Sequence, residues 1–383
     1  MKKFSLAALL VSAVLVATLV GSGLFFRVGA TDSSYRQVVV FSEVLSLIME
    51  NYVDPVEADN LMAGAYEGML RGLDPHAAYL SPGELTAWKE QGADLSAGPG
   101  LTVLKGYGAL QIVGVDPGSP AEDAGLIAGD QIRVIGDELL RDFSLDQALR
   151  LLRGPAGTSV RMQIIHPSTG FSREDLTLDR KARRQLPYRL HEKDGVLVLE
   201  LQDLTRLDTD KLVQELDGYR ERGIEGLLID LRNVAEGSPR DLQPFAALFH
   251  SGAAFRLVDR DGEVLETVDI PTVGPAWNGS ITLLVNGATA GAAEGFARLL
   301  QVAGAVQIYG EETYGMGSEA ELFELPNGAG VLVAAKEWRL ASGESWGGDG
   351  VVPDVEVRPE GRTYSDRLED QMQKVIQKLV LIR

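Results

Sequence analysis

The sequence predicts a multidomain α/β protein: a helical amino-terminal segment, a small partly open β-barrel, and an α/β core completed by a carboxy-terminal helix. Apolar residues recur at helical spacing over residues 35–90, and short β-like runs alternate with Gly/Pro turns over residues 98–165. From residue 195 onwards, strand-like and helix-like segments alternate, as in α/β folds. The length of 383 residues leaves room for several cores, and 45% hydrophobic with 24% charged residues is typical of globular proteins.

The first element is an uncharged apolar run, residues 4–26, which follows Lys2 and Lys3. The run is long enough to span a bilayer as a helix and longer than a usual signal-peptide core. We expect residues 1–30 to be a membrane anchor with the body of the protein periplasmic or extracellular, because the lysines favour a cytoplasmic amino terminus. A signal peptide cleaved after Ala30 is the alternative, and it also places the body beyond the membrane.

The next segments divide into a helical region, residues 31–95, and a barrel, residues 96–178. Asp-Pro pairs at residues 54–55 and 74–75 interrupt the helical spacing. In the barrel, residues 110–115 and 131–135 are predicted strands and residues 145–152 a helix.

The charged segment 179–185 (DRKARRQ) is interpreted as a linker to the core, residues 185–358, and the tail, residues 359–383, contains an amphipathic helix at 365–382. The predicted core elements are strands at 195–201, 226–231, 281–286 and 306–309, helices at 208–222 and 290–301, and a hairpin-like pair at 321–325 and 330–334.

The composition excludes several classes of function. Lys and Arg number 36 against 55 Asp and Glu, and the net charge of −19 opposes binding to nucleic acid and to anionic lipid surfaces. There is no cysteine, so no thiol nucleophile and no disulfide framework exist. The four histidines show no HExxH spacing, and we expect neither a metal site nor a cofactor.

Residues 98–103 (GPGLTV) resemble the carboxylate-binding loop of PDZ domains, and residues 116–137 resemble the PDZ block around its characteristic turn. PDZ domains bind peptide carboxyl ends by adding the peptide as a strand to a sheet edge. The resemblance implies peptide binding along Gly100, Leu101, Thr102 and Val103, with Leu101 lining the side-chain pocket. Pro99 has no N–H and therefore weakens the capture of a carboxylate.

Several further segments resemble, in order and spacing, the motifs of the carboxy-terminal processing (tail-specific) serine peptidases: residues 68–85, 227–233 (LLIDLRN), 283–294 (LLVNGATAGAAE), 309–318 (YGEETYGMGS) and 348–357 (GDGVVPDVEV). The likeness covers nearly everything after the apolar run. It implies a core of the ClpP/crotonase type and a serine-type endopeptidase fold.

This family cleaves peptides with a Ser/Lys dyad, in which a neutral lysine removes the proton of the attacking hydroxyl. The resemblance places the nucleophile position at Gly291, the base position at Met316 and a further Asp position at Val302. None of the three residues has the required group. The segment that corresponds to the oxyanion loop is altered at Glu236 and Gly237, and a carboxylate facing the site would repel an oxyanion.

Other chemically active residues have structural interpretations. Asp230 and Arg232 match a strand end of the family and are predicted to be structural. His76 is predicted to be a hydrogen-bonded turn residue, and Trp338 and Trp346 to pack in the core or in a hairpin.

We therefore expect an envelope pseudopeptidase that binds peptides or protein carboxyl ends without Ser/Lys catalysis, and that forms a homo-oligomer or pairs with an active homologue. The alternative is an active endopeptidase with relocated groups, for which Thr289 and Lys336 would be a substitute dyad. We expect instead that Thr289 packs on a strand-to-helix turn and that Lys336 faces solvent at the end of a strand. A purely structural envelope protein is a third interpretation.

Overall fold

The computed structural model describes residues 32–91, 95–106, 108–116, 118–182, 186–272, 276–361 and 364–382. The predicted membrane anchor at residues 4–26 lies outside these ranges. Within them, none of the helices combines the length and the apolar character that a bilayer crossing requires.

Two compact units make up the chain, divided between Ala65 and Tyr66. The first contains helix α1, Asp32–Asn51, and the beginning of helix α2, Ala58–Arg71. The second contains the end of α2 and the rest of the described chain. There, a short strand β1, Ala78–Leu80, precedes helix α3, Pro82–Gln91, in a region for which the sequence predicts only helices.

The PDZ-like module has a sheet with the order β3-β4-β5-β7-β8, and β6 pairs with β5. Its elements are β2 Ala97–Gly98, β3 Leu101–Gly106, β4 Ala109–Val115, α4 Pro120–Asp123, β5 Gln131–Ile135, β6 Glu138–Leu139, a 3₁₀ turn Leu140–Asp142, α5 Leu145–Leu152, β7 Ser159–His166, a 3₁₀ turn Pro167–Thr169 and β8 Ser172–Asp179. Helix α5 has the predicted bounds because Ser144 caps it: its hydroxyl accepts from the N–H of Gln147, whose side chain accepts from the N–H of Ser144.

The predicted linker at residues 179–185 is partly regular structure. Asp179 ends β8, and β9, Lys181–Ala182, pairs antiparallel with β2. This pairing was not predicted from the sequence, because the partner strand β2 lies far upstream and its two residues are too few to show a strand pattern.

The core sheet has the order β10-β11-β12-β15-β16-β19, antiparallel at β10–β11 and parallel at the other contacts. Its elements are β10 Tyr188–Lys193, β11 Val196–Leu201, a 3₁₀ turn Leu204–Arg206, α6 Thr209–Glu221, β12 Gly226–Asp230, α7 Pro239–Ala246, β15 Ser280–Val285, α8 Ala292–Val302, β16 Gln307–Gly310, β19 Val355–Glu356 and α9 Tyr364–Ile382. Strand β12 is buried along its whole length, as expected for a parallel strand covered on both faces.

A second core sheet is antiparallel, with the order β1-β18-β13-β14 and β17 paired to β18. The strands are β13 Ala254–Asp259, β14 Val264–Asp269, β17 Ser318–Glu324 and β18 Gly330–Leu340. The predicted hairpin strand at 330–334 is too short, since β18 continues to Leu340 where it pairs with β13. Helix α8 packs between the two sheets, where Gly295 lies against Trp346 and Phe255.

Candidate functional site

The predicted nucleophile position, Gly291, lies at the turn between strand β15 and helix α8. Its backbone has φ 61° and ψ −121°, a conformation that costs little for glycine and is strained for other residues. Hydrolases present nucleophilic side chains on strained strand-to-helix turns of this general kind. Here the turn presents no side chain.

The predicted base position, Met316, is next to Gly291 in space. A β-carbon added to Gly291 would meet Met316 Cε at 3.0 Å and the carbonyl oxygen of Gly237 at 3.1 Å. The backbone carbonyl of Met316 accepts a hydrogen bond of 3.2 Å from Trp346 Nε1. The two positions that the resemblance assigns to a dyad are thus brought together, with a methyl group where the neutral amine of a lysine would be needed.

Glu294 connects the two positions. Its buried carboxylate accepts hydrogen bonds from the N–H groups of Gly291 (2.9 Å), Gly315 (2.7 Å) and Met316 (2.7 Å) and from the hydroxyl of Thr313. Burial raises the pKa of Glu294 to about 7, and these donors oppose the rise because they favour the charged form. Glu294 therefore fixes the backbone at Gly291 and at Met316, and both of its carboxylate oxygens accept hydrogen bonds within the protein.

The position predicted for the family Asp is not part of this arrangement. Val302 is the last residue of α8, whereas Gly291 caps the first turn, and Val302 is substantially exposed. At a rise of 1.5 Å per residue the two ends lie about 16 Å apart. A side chain at Val302 is therefore too far away to contact a group at Gly291.

The altered oxyanion segment contacts the PDZ-like module. Glu236 Oε1 accepts a hydrogen bond of 2.6 Å from Arg153 Nη2, at the end of helix α5. The Glu236 carboxylate is thus held by an arginine. Gly237, with φ 94°, directs its carbonyl oxygen at position 291. A carbonyl repels an oxyanion, which N–H donors would stabilise.

The PDZ-like module also covers this region with apolar side chains. Leu104 and Val113 form one buried cluster with Ala288 and Ala290, and Met316 packs against it. Tyr314 donates its hydroxyl to the carbonyl of Lys105 at 3.1 Å. Burial, together with the negative charge of Glu294, raises the pKa of Tyr314 to about 12, so that it stays protonated and is a poor base at neutral pH.

The substitute dyad is not assembled. The hydroxyl of the fully buried Thr289 donates to the carbonyl of Leu231 at 3.0 Å and accepts from the N–H of Asn286 at 3.1 Å. Thr289 therefore packs on the turn, as expected. Lys336 lies inside β18 rather than at a strand end, and its ammonium is 2.9 Å from Glu321 Oε2.

Asp230 and Arg232 form a buried bidentate pair, with Nη2–Oδ2 at 2.7 Å and Nε–Oδ1 at 2.9 Å. Arg232 also donates to the carbonyl of Leu368 and to Gln371 in helix α9. The pair attaches the carboxy-terminal helix to the sheet, which confirms the structural interpretation.

His76 lies in a turn in which its own N–H and that of Ala77 donate to Asp74 Oδ1, and this confirms its predicted role. Trp338 and Trp346 are both buried in the core, as predicted. Within the described ranges, no group of three or more His, Asp or Glu residues is arranged to hold a metal ion.

The predicted peptide-binding strand, β3, lies at the edge of the PDZ-like sheet and pairs with β4. Gly100 has φ 86°, and an added β-carbon would come within 2.2 Å of Ser119 Cβ, so the loop requires glycine. Leu101 and Val103 are buried in the module's own core together with residues of α5, rather than lining an open pocket. Thr102 points the other way, into a cavity of about 620 Å³ that also includes Asp116 and Arg232.

Sequence reasoning missed the roles of Glu294 and Arg153. Glu294 served only to locate the nucleophile position, although a Glu on an apolar helix face signals a buried, hydrogen-bonded carboxylate. No local signal identifies Arg153, because its partner Glu236 becomes its neighbour only in the folded chain.

Comparison with protein families finds three matched regions: residues 195–357 match Peptidase family S41, residues 111–165 the PDZ domain, and residues 28–82 the Activating protease CtpB N-terminal domain. The chain is 31% identical over 299 residues to a carboxyl-terminal-processing protease of Picosynechococcus sp., covering 76% of this chain and 72% of the relative. It is 27% identical over 321 residues to the carboxy-terminal processing protease CtpA of Bacillus subtilis, covering 81% of this chain and 66% of the relative.

Among solved structures, the photosystem II D1 C-terminal processing protease superposes with a TM-score of 0.60 at 23% identity, over 88% of this chain and 96% of that one. This similarity concerns the fold. With the PDZ match, it confirms the predicted fold class.

Proposed function

Because the chain belongs to the carboxy-terminal processing protease family, peptidase family S41, and contains a PDZ domain, we propose that it is an envelope pseudopeptidase. It binds peptides or protein carboxyl ends and does not hydrolyse them. The observation that carries this proposal is the contact between Gly291 and Met316, where a nucleophile and a base would have to meet.

Three features support the loss of catalysis independently of one another. Position 291 has no side chain to attack a carbonyl, and Met316 has no group that accepts a proton. The Gly237 carbonyl oxygen would lie 3.1 Å from a β-carbon at position 291, and a carbonyl oxygen cannot donate the hydrogen bond that a substrate oxyanion requires.

The experiment is an assay of the full chain with unfolded proteins and with peptides of varied carboxyl ends, together with labelling by a serine-directed fluorophosphonate. We expect neither cleavage nor labelling. An active enzyme with relocated groups would cleave, and Thr289→Val or Lys336→Ala would abolish that cleavage. Such a result would overturn the pseudopeptidase proposal.

The proposed location is the cell envelope, with residues 4–26 as the membrane anchor and the body outside the cytoplasm. The apolar length of that run supports the location. Cell fractionation followed by protease treatment of intact spheroplasts tests it, because a body outside the cytoplasm is digested while cytoplasmic markers survive. A full-length chain found among soluble cytoplasmic proteins would contradict the proposal.

The proposed partners, besides peptides, are a second copy of this chain or an active homologue. Helix α1 supports such pairing because it exposes Tyr35, Val38 and Val44, and exposed apolar patches commonly mark protein interfaces. Light scattering of the full chain, with Val38→Glu and Val44→Glu introduced together, tests it. We expect the variant to be monomeric, and an unchanged mass would locate the interface elsewhere.

A further inference from the structure

A surface cavity of about 570 Å³ in the PDZ domain is lined by Arg133, Arg141 and Arg173. We call it the arginine cavity. All three side chains are exposed, and in the part of the chain that the structure describes none of the three guanidinium groups has an ion pair or a hydrogen bond. Three positive charges therefore converge without a partner on a chain whose net charge is −19.

Strand pairing accounts for this convergence. Gln131 pairs with Ile165, and Ile165 pairs with Arg173, so that residues of three strands share one face of the sheet. The register shifts between Ile132 and Val134, which places Arg133 at an irregularity of strand β5. Such irregularities redirect side chains and often occur near binding sites.

The acidic residues nearby contact other cations or histidine. Asp142, next to Arg141, pairs with Arg71 at 2.8 Å. Asp130 and Glu174 lie 3.0 and 3.2 Å from the two ring nitrogens of His166. The positive charge of the arginine cavity is therefore a local exception to the overall acidic surface.

An exposed aromatic residue stands at the rim of the cavity. Phe171 is 67% exposed and has φ 64°, a conformation that costs an ordinary residue roughly 1–2 kcal/mol and favours glycine or asparagine. The hairpin tip fixes it there, because the N–H of Phe171 donates to the carbonyl of His166 at 3.0 Å. A strained and exposed aromatic side chain beside cations indicates a binding role rather than a packing role.

We propose that the arginine cavity binds a phosphate group. One carboxylate carries a single charge and is satisfied by one guanidinium fork, whereas a phosphate carries about −1.5 to −2 charges and three strong acceptor oxygens. Three arginines without ion-pair partners match the charge and the acceptor oxygens of a phosphate better than those of a single carboxylate. The phosphate is a terminal one and belongs either to a soluble ligand or to the phosphomonoester headgroup of phosphatidic acid, in which case Phe171 contacts the apolar part of the lipid.

The test uses the full chain in a neutral detergent and two probes, inorganic pyrophosphate and the soluble short-chain phosphomonoester lipid dihexanoylphosphatidic acid, each titrated by calorimetry. Dihexanoylphosphatidylcholine, which has no net charge, is the control lipid. The variants are the triple change Arg133→Gln, Arg141→Gln and Arg173→Gln, and separately Phe171→Asn. Arg161→Gln is the matched control, because Arg161 lies on the neighbouring strand β7 but is already paired with Asp137.

We expect the triple variant to weaken binding by about tenfold or more and Arg161→Gln by less than about twofold. Phe171→Asn should weaken only the lipid probe if the phosphate is a headgroup, and neither probe if the ligand is soluble. The three arginines are exposed, so thermal unfolding should be unchanged and a loss of binding is not a loss of folding. Failure of both probes to bind, or equal binding by the triple variant and the natural chain, would overturn the proposal.

Discussion

Arg153, at the end of a PDZ helix, donates a hydrogen bond of 2.6 Å to Glu236, in the loop beside Gly291, the position that the resemblance assigns to the nucleophile. Both side chains are about one-third exposed, at 34% and 29%. We expect a coupling free energy of about 0.5–1 kcal/mol from a double-mutant cycle of Arg153→Ala and Glu236→Ala, measured by chemical denaturation.

The matched control for this cycle is the pair Arg161–Asp137 within the PDZ domain, whose side chains are 59% and 93% exposed. Because solvent screens exposed charges more strongly, its coupling should be near zero. Equal coupling free energies for the two pairs would show that the Arg153–Glu236 contact between the PDZ domain and the core stabilises the protein no more than an exposed surface pair does.

Restoring a hydroxyl at position 291 should destabilise the protein. In Gly291→Ser the new β-carbon would meet Met316 Cε at 3.0 Å, and φ 61° disfavours any side chain. We expect the free energy of unfolding to fall by about 1–3 kcal/mol. Gly287→Ala is the matched control in the same turn, because its nearest neighbour would be 3.6 Å away. A similar decrease in the free energy of unfolding for Gly291→Ser and Gly287→Ala, measured by chemical denaturation, would contradict this explanation.

The combined change Gly291→Ser with Met316→Lys should still give no measurable hydrolysis. The loop next to position 291 presents the Gly237 carbonyl oxygen, 3.1 Å from a β-carbon placed there, rather than an N–H donor, and the loss of one oxyanion donor alone costs about 10²–10³ in rate. The measurement is peptide hydrolysis and fluorophosphonate labelling of the double variant. Robust turnover would mean that the Gly237 loop rearranges readily.

Much of the fold was predictable because the sequence patterns that specify its helices and strands are local. Ser144 and Gln147 form a capping box that fixes the start of helix α5, and the continuous apolar run of strand β12 indicates a buried parallel strand. Strand β1 was missed because its pairing residues lie in strand β18, far along the chain. In the candidate site, Gly291 and Met316 were found by motif spacing, whereas the Arg153–Glu236 contact depends on how the PDZ domain meets the core.

The stability contributed by Glu294 should depend on pH. Burial raises its pKa from 4.5 to about 7 in the folded protein, so the folded state binds this proton more tightly than the unfolded state does. This contribution is fully present below pH 4.5 and is lost as the pH rises towards 7, by up to about 1.4 kcal/mol per pH unit.

The measurement is urea unfolding of the natural chain and of Glu294→Gln at several pH values. The variant should be less stable throughout, because an amide cannot accept all four hydrogen bonds that the carboxylate accepts. The difference between the two proteins should narrow as the pH rises from 4.5 to 7. A difference that widens over this range would show that the hydrogen bonds outweigh burial and hold the pKa low.

Pro99 has no N–H and therefore removes one donor from the loop that resembles the PDZ carboxylate-binding loop. Pro99→Ala restores that donor, and we expect it to tighten the binding of peptides with free carboxyl ends by about tenfold, since a hydrogen bond to a charged group contributes about 1.5–3 kcal/mol. Amidated peptides should bind as before. Gly100→Ala, added to Pro99→Ala, should cancel the gain because its β-carbon would come within 2.2 Å of Ser119 Cβ and displace the loop. Fluorescence titration with matched free and amidated peptides measures all three proteins, and an equal gain for both peptide forms would show that the new N–H does not contact the carboxylate.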